Sequence, residues 1–243
     1  MRVAVAALRV ERDPAQNLAR ILAFVPRAAA AGAALVCFPE YSLRPLDRAW
    51  LDPTAAIDAI RAQCERCGVW AVFGADAGGP ERRFNSLYVI DPRGAIHYRY
   101  DKVHLWGREA EVYQAGARSR VIEIGPARVA VMACWDLAFP RYAADLADQG
   151  ADVLLCCSYL VDAEVDAEPL QALPLARAFE NRVYCVLCEA VTDETLSISM
   201  VCHPLGVRQR IAGEEGLLIA DLDLAALKRL RAYYDDPSRG WTD

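Results

Sequence analysis

The chain has 243 residues, 55% hydrophobic and 25% charged, enough apolar material for one sizeable domain or two small ones. That composition excludes a disordered chain, a collagen-like fibre and a small disulfide scaffold. Lys plus Arg is 27 against 33 Asp plus Glu, a net charge of −6; phosphate-neutralising surfaces carry a basic excess, so nucleic acid is not an expected partner.

Residues 2–10 alternate as in a strand, and the N-terminus lacks the apolar core and cleavage site of a signal peptide. The longest apolar runs, such as 28–38, fall short of the ~20 residues that span a bilayer, so a soluble cytoplasmic protein without a membrane partner is expected. Asp13-Pro14 supplies a helix cap and a first-turn proline; the helix should run to about Ala31 and stop at Gly32, with Pro26 kinking or breaking it. A short buried strand over 34–38 follows. A helix then opens at Asp52-Pro53-Thr54 and ends near Cys67-Gly68, and a further strand covers 69–75. Gly78-Gly79-Pro80 marks a turn, and 84–90 with 95–100 read as a hairpin closed by Asp-Pro-Arg-Gly. A second strand pair, 121–124 and 128–133, surrounds Gly125-Pro126. Helix 140–149, strand 152–157, helix 170–182 and strand 183–189 come next. Strands near 197–202, 207–211 and 216–221 and a helix near 223–232 finish the chain. Alternation interrupted by hairpins predicts an α/β protein with a mixed sheet covered by helices, not a pure parallel barrel. No internal repeat is visible. The acidic run 162–168 reads as a solvated loop, and the tail 235–243 as an exposed terminus or an arm on a partner subunit.

Nine cysteines without a secretory signal predict free thiols in a reducing compartment. Two Cys-x-x-Cys pairs occur. Cys64 and Cys67 fall on one face of a helix, whereas Cys185 and Cys188 fall on opposite faces of a strand and could not grip one metal without distortion.

Three reactive side chains stand at strand ends, where sheet proteins build their sites. Glu40 follows a buried strand, Lys102 lies just beyond a hairpin strand, and Cys134 stands where a strand meets a turn and then a helix. Together they form a coherent set. A carboxylate in a dry pocket can take the thiol proton, an ammonium favours the thiolate and then an oxyanion, and a backbone N–H after Cys134 supplies a second oxyanion donor. Taken singly, each has a duller reading: a core cysteine, a surface turn glutamate, a solvated lysine. Nothing local forces residues 62 and 32 positions apart to meet.

In order along the chain, FPEYSL around Glu40, YDKVHLWG around Lys102, MACWDLAFP around Cys134, QGADVL (149–154) and LPLARAFENRVY (173–184) resemble the motifs of the nitrilase superfamily, the carbon–nitrogen hydrolases. The resemblance covers nearly the whole chain, taken as one domain of residues 1–243. It implies an αββα sandwich with mixed sheets that pairs with a second subunit into an αββα–αββα homodimer or higher homo-oligomer. It also implies Glu40 as general base, Lys102 as its positive partner and Cys134 as nucleophile. A second glutamate is implied at Glu109 within EAEVYQAG, with Glu111 as the neighbouring alternative and an ordinary loop pairing to Arg108 or Arg118 as the plain one.

The implied reaction is hydrolysis of a small carboxamide or N-carbamoyl compound through a thioester. Lys102 and the Trp135 N–H would hold the oxyanion, Glu109 would position substrate or the second attacking water, and Arg141, if it faces the pocket, could pair with a substrate carboxylate; the plain reading of Arg141 is a helix-surface arginine. Several positions depart from the family pattern. Trp135-Asp136 mixes amidase-like and nitrile-hydrolysing forms, Arg141 stands where a glutamate is common, Glu189-Ala190 replaces Ala-Asn, and Cys202-His203-Pro204 replaces small residues. Short length and Asp136 favour an amide. A nitrile hydrolase, suggested by Trp135, and a non-catalytic binding protein are the rivals. His104, beside Lys102, reads as a packing or hydrogen-bonding residue. No Gly-x-Gly-x-x-Gly or phosphate loop follows a strand, so no nucleotide or metal cofactor is inferred. The substrate is expected to be a small molecule, with its pocket walled by 41–53, 106–118 and 158–170.

Overall fold

Short apolar runs bounded by turn residues become strands, and the amphipathic segments between them become the covering helices. The computed structural model describes residues 1–161 and 167–236. Most of the acidic run 162–168, and the tail from 237 onward, lie outside the described residues. The first half contains β1 (Arg2–Ala7), α1 (Pro14–Ala30), β2 (Leu35–Cys37), α2 (Thr54–Cys67), β3 (Trp70–Gly79), β4 (Arg82–Ile90) and β5 (Ile96–Asp101). The second contains β6 (Val121–Ile124), β7 (Ala127–Ala133), α3 (Pro140–Asp148), β8 (Val153–Ser158), α4 (Ala167–Asn181), β9 (Tyr184–Glu189), β10 (Ile198–His203) and β11 (Gly206–Ala212). The chain then returns to the first half through β12 (Gly216–Asp221) and ends in α5 (Leu224–Tyr234).

The strands form two mixed sheets, where residue pattern alone had implied one. Their orders are β12-β1-β2-β3-β4-β5 and β11-β10-β9-β8-β7-β6. In each sheet, three strands run parallel through helical crossovers and the remaining neighbours are antiparallel. One apolar layer fills the space between the sheets, with Val5, Val72 and Leu87 facing Val131, Leu155 and Val186. Burying each such side chain stabilises the fold by ~1.5–3 kcal/mol. On the outer face of the first sheet, Val36 and Phe73 meet Ile21 and Phe24 of α1 and Ile57 and Ile60 of α2. On the outer face of the second, Met132, Leu154 and Leu187 meet Tyr142 and Leu146 of α3 and Ala178 of α4. All four layers of the αββα sandwich are therefore present in a single chain.

Local signals hold at most boundaries. Asp13 caps α1 by accepting from Ala15 N at 3.0 Å, and Gly68 closes α2 in the left-handed conformation with φ 63°. Asp91 accepts from Arg93 N (2.8 Å) and Ala95 N (2.9 Å) to shape the β4–β5 turn. Pro26 neither breaks nor ends α1, because the helix seats Phe24, Val25 and Ala28 on the sheet and that packing outweighs the lost backbone bond. Strand β3 continues to Gly79, beyond the predicted 75, because it pairs along its whole length with β4. The described cysteines are free thiols, and Cys185 and Cys188 point into different apolar layers, as their odd spacing requires. No described helix is long and apolar enough to cross a membrane.

Candidate active site

Glu40 sits on a tight turn directly after β2. Phe38 anchors the turn in the core, Tyr41 adopts φ 55°, and Ser42 Oγ donates to Pro39 O and accepts from Gly74 N at 3.3 Å. The turn lies flat on β3 at Gly74, where an added Cβ would stand 2.4 Å from Tyr41 N and 2.9 Å from Glu40 Cα. Glycine is needed there for the close approach of two backbones.

Lys102 leaves the end of β5 and is buried. Its Nζ donates to Glu40 Oε1 at 2.8 Å and lies 3.0 Å from Glu109 Oε1 and 2.9 Å from Glu109 Oε2. Asn85 on β4 completes the cluster, donating from Nδ2 to Glu40 Oε1 (2.6 Å) and Glu109 Oε1 (3.1 Å). Glu109 also accepts from Tyr41 OH and, at 2.7 Å, from Trp106 N, which closes the 3-10 turn Gly107–Glu111 on which it rides. The structure thus brings in Glu109. Glu111 is exposed and pairs with Arg48, and Arg118 pairs with Asp145 instead of Glu109. Asn85 and Tyr41 were not anticipated, although Asn85 shares the inward-facing row of β4 with Leu87 and Val89.

Cys134 follows β7 from the opposite sheet. It is buried, adopts φ 44° and opens the 3-10 turn Cys134–Ala138. A left-handed non-glycine residue at such a bend is strained and must be held by its surroundings. Asp136 does the holding: Oδ2 accepts from Ala133 N (2.8 Å) and Tyr100 OH (2.6 Å). Its Oδ1 accepts from His104 N (3.1 Å) and meets His104 Nδ1 at 2.7 Å. One buried carboxylate therefore ties the cysteine turn to the loop carrying Lys102, and His104, stacked 3.7 Å from Phe139, has the hydrogen-bonding role expected of it. The Trp135 amide lies in the first turn, where helix N–H groups lack an intrahelical partner. Its indole turns into an aromatic group with Trp106 (4.2 Å between ring centres) and Phe139. Arg141 is exposed on the first turn of α3 and makes no ion pair with the cluster, which fits the helix-surface reading.

Burial and neighbours set the protonation states. Burial pushes the Glu40 carboxyl up to about 7; Lys102 opposes this and Glu109 adds to it. The Cys134 thiol is driven well above its ordinary value by burial and then by Glu40, with Lys102 pulling the other way. Burial alone would lower Lys102, but Glu40, Cys134 and Glu109 outweigh it and hold the ammonium charged. The resting site is thus a protonated thiol, a carboxyl poised near neutrality and a fixed cation. A groove of about 640 Å³ is lined among others by Arg44, Leu46, Asp47, Glu111, Val112 and Tyr159; Glu40, Lys102, Glu109 and Cys134 do not line it, and Tyr159, whose amide binds Glu40, is its link to the cluster. Residues of 41–53, 106–118 and 158–161 line this groove.

The fold and this cluster define the class: an α/β enzyme with a cysteine, a glutamate and a lysine buried between two sheets. Residues 2–232 match the carbon-nitrogen hydrolase family, and the chain belongs to it, a hydrolase of carbon–nitrogen bonds other than peptide bonds. It is 27% identical to an omega-amidase NIT2 of Danio rerio, over 95% of this chain and 91% of that protein. A nitrilase of Pyrococcus abyssi is 30% identical over 90% of this chain and 88% of its own length. Among solved structures, the amidase from Nesterenkonia sp. AN1, captured with acrylamide added at its active-site cysteine, superposes with a TM-score of 0.86. It shares 26% identity, covering 96% of this chain and 98% of that one.

Proposed function

We propose that the chain hydrolyses a small carboxamide or N-carbamoyl compound through a thioester on Cys134. The observation that carries this is the convergence of Glu40 and Lys102 at 2.8 Å, both electrostatically coupled to the Cys134 thiol. Glu40 takes the thiol proton as sulfur attacks the carbonyl carbon. Lys102 and the Trp135 N–H receive the oxyanion. When the C–N bond breaks, Glu40 returns the proton to the leaving nitrogen, releasing ammonia or an amine. Water then attacks the thioester, Glu40 takes a proton from it, and the sulfur recovers that proton as the acid departs. Glu109 has both oxygens engaged by Lys102 and its neighbours, which suits it to fixing the ammonium better than to handling water.

Ammonia release across amides, carbamoyl compounds and nitriles tests the proposal. Turnover of amides or carbamoyl compounds is expected, and turnover of nitriles alone would overturn the choice of bond. Cys134→Ala is expected to abolish release with little change in melting temperature. Mass spectrometry during turnover should find the acyl adduct on Cys134; an adduct on another cysteine would overturn the assignment.

A further inference from the structure

The steps above leave one buried carboxyl beside the thiol without a task. Glu189 closes β9 directly opposite Ser158 of β8, and Cys134 follows Ala133, which pairs with Cys157 in the same parallel ladder. Three adjacent strand ends therefore place Cys134, Ser158 and Glu189 in one row. Two consecutive amides after β8 then clamp two carboxyls. Tyr159 N donates to Glu40 Oε2 at 3.1 Å, and Leu160 N donates to Glu189 Oε1 at 2.7 Å. The backbone of Glu189 is fixed as well, since Ser199 Oγ accepts from its N–H (2.9 Å) and donates to its carbonyl (3.3 Å).

The second carboxyl oxygen is different. Glu189 is fully buried, yet Oε2 has no hydrogen-bond partner and no ion pair among the described residues. The Ser158 hydroxyl beside it also lacks a hydrogen bond. Buried polar atoms are paired in nearly all folded proteins, and a bare one costs desolvation energy that no structural role returns. Burial pushes the Glu189 carboxyl up to about 8 against the pull of the Leu160 amide and the nearby Ser158 hydroxyl, and Glu40 adds to the rise. Glu189 in turn raises the Cys134 thiol, so the two groups, at neighbouring strand ends, lie within electrostatic reach of each other. Around that thiol stand three carboxyls (Glu40, Glu109 and Glu189) and a single ammonium already shared by two of them. A substrate bringing another carboxylate would add negative charge to a pocket whose own acids already resist ionisation, whereas a cation would favour the ionised form of Glu189. A substrate bringing a positive nitrogen would meet the bare oxygen. The groove reached past Tyr159 gives no opposite bias, since five arginines and five carboxylates line it.

We propose that Glu189 is a specificity-determining residue whose free oxygen binds an ammonium or amine donor on the substrate, so that the enzyme prefers carboxamides bearing a basic amino group and disfavours those bearing a carboxylate. This rests on the amide reading above.

The test uses three amide sets of matched length: aminoalkyl, unsubstituted alkyl, and monoamides of dicarboxylic acids. Wild-type kcat/KM is expected to fall in that order, by about tenfold per step, which is the scale of one desolvated charge contact. In Glu189→Gln the cationic-to-neutral and neutral-to-anionic ratios are each expected to shrink by about the same factor. A purely structural role would leave the ratios unchanged, and unchanged ratios overturn the inference. So does a wild-type preference for the anionic set. Should Glu189→Gln fail to fold, competition between aminoalkyl and carboxyalkyl amides on the wild type decides by the same order. Release from none of the three sets would instead overturn the amide reading itself, and this inference with it.

Discussion

The two sheets of this protein have the same plan and opposite chemistry. Each runs a parallel trio through two helices and adds an antiparallel pair on the far side, β1-β2-β3 with β4 and β5 in one, β7-β8-β9 with β10 and β11 in the other. Each also carries one antiparallel strand on the near side, β12 and β6. Yet the first half supplies Glu40, Asn85, Lys102 and Glu109, which hold protons and charge. The second supplies Cys134, the Trp135, Tyr159 and Leu160 amides, and Glu189. No repeat was visible in the sequence because a shared topology requires only apolar residues of suitable volume at the same places, not the same residues. The two halves differ in chemistry at their strand ends, where sheet proteins build their sites.

If the halves work as one unit, damage to both should not multiply. Cys134→Ala or Glu40→Gln alone is expected to cost about 10⁴-fold or more in kcat/KM, and the double variant scarcely more than the worse single one, as for other nucleophile–base pairs. Initial-rate kinetics on the most active amide decides this. Losses that multiply would mean that the thiol and the carboxyl act separately.

The next largest effect is steric and confined to the first half. Gly74→Ala forces the new Cβ against Tyr41 N and Glu40 Cα. Backbone cannot rotate away as a side chain can, so the turn must shift. We expect about a hundredfold loss in kcat/KM from a misplaced base, with about 1–3 kcal/mol of stability lost. Denaturant unfolding beside kinetics separates the two. The cysteine side should be spared, so the rate of thiol alkylation in the folded variant should change less than turnover.

Asn85→Leu is milder. It removes a donor that steadies the ionised Glu40 and holds its pKa down. Glu40 should then titrate above its present value of about 7, leaving less base at neutral pH. The acidic limb of the kcat/KM profile should move to higher pH, with about a tenfold loss at pH 7 that shrinks as the pH is raised. A limb that stays in place would remove Asn85 from the circuit.

Much of this was legible before the structure. Glu40 and Cys134 stand out because reactive groups rarely end apolar strands without a partner, whereas Lys102 follows a polar strand and stood out only by its place beyond a hairpin. What one chain could not display was the partner, since Lys102 and Glu40 are 62 residues apart and meet only because β2 and β5 share a sheet, while Cys134 joins them only through the stacking of the second sheet. Asn85 was readable in principle from the two-residue period of β4, but a neutral amide carries no signal of its own until its neighbours are known. Glu189 has the same local signature as Glu40, an acid ending a buried strand, and registered only as a departure from a motif. For Arg141 the sequence left two readings open, because its position after Phe139-Pro140 says nothing about which face of α3 it takes; the helix leaves it exposed.

The smallest expected effect compares the two buried acids directly. Both carboxyls bind protons more tightly folded than unfolded, Glu40 up to about 7 and Glu189 up to about 8, from an ordinary 4.5. A raised carboxyl pKa gives stability that is fully present below the unfolded value and lost as pH climbs through the folded one. Stability should therefore decline from about pH 5 upward, with both acids contributing until about 7 and Glu189 alone between 7 and 8. Melting temperatures across that range should fall less steeply in Glu189→Gln than in the wild type, most clearly in the upper unit. Glu40→Gln should flatten chiefly the lower part. Because Glu40 also helps raise Glu189, its removal should draw the upper decline slightly toward lower pH as well. Identical curves for the wild type and Glu189→Gln would mean that Glu189 titrates alike in the folded and unfolded chain, and that its bare oxygen is not the strained acid described above.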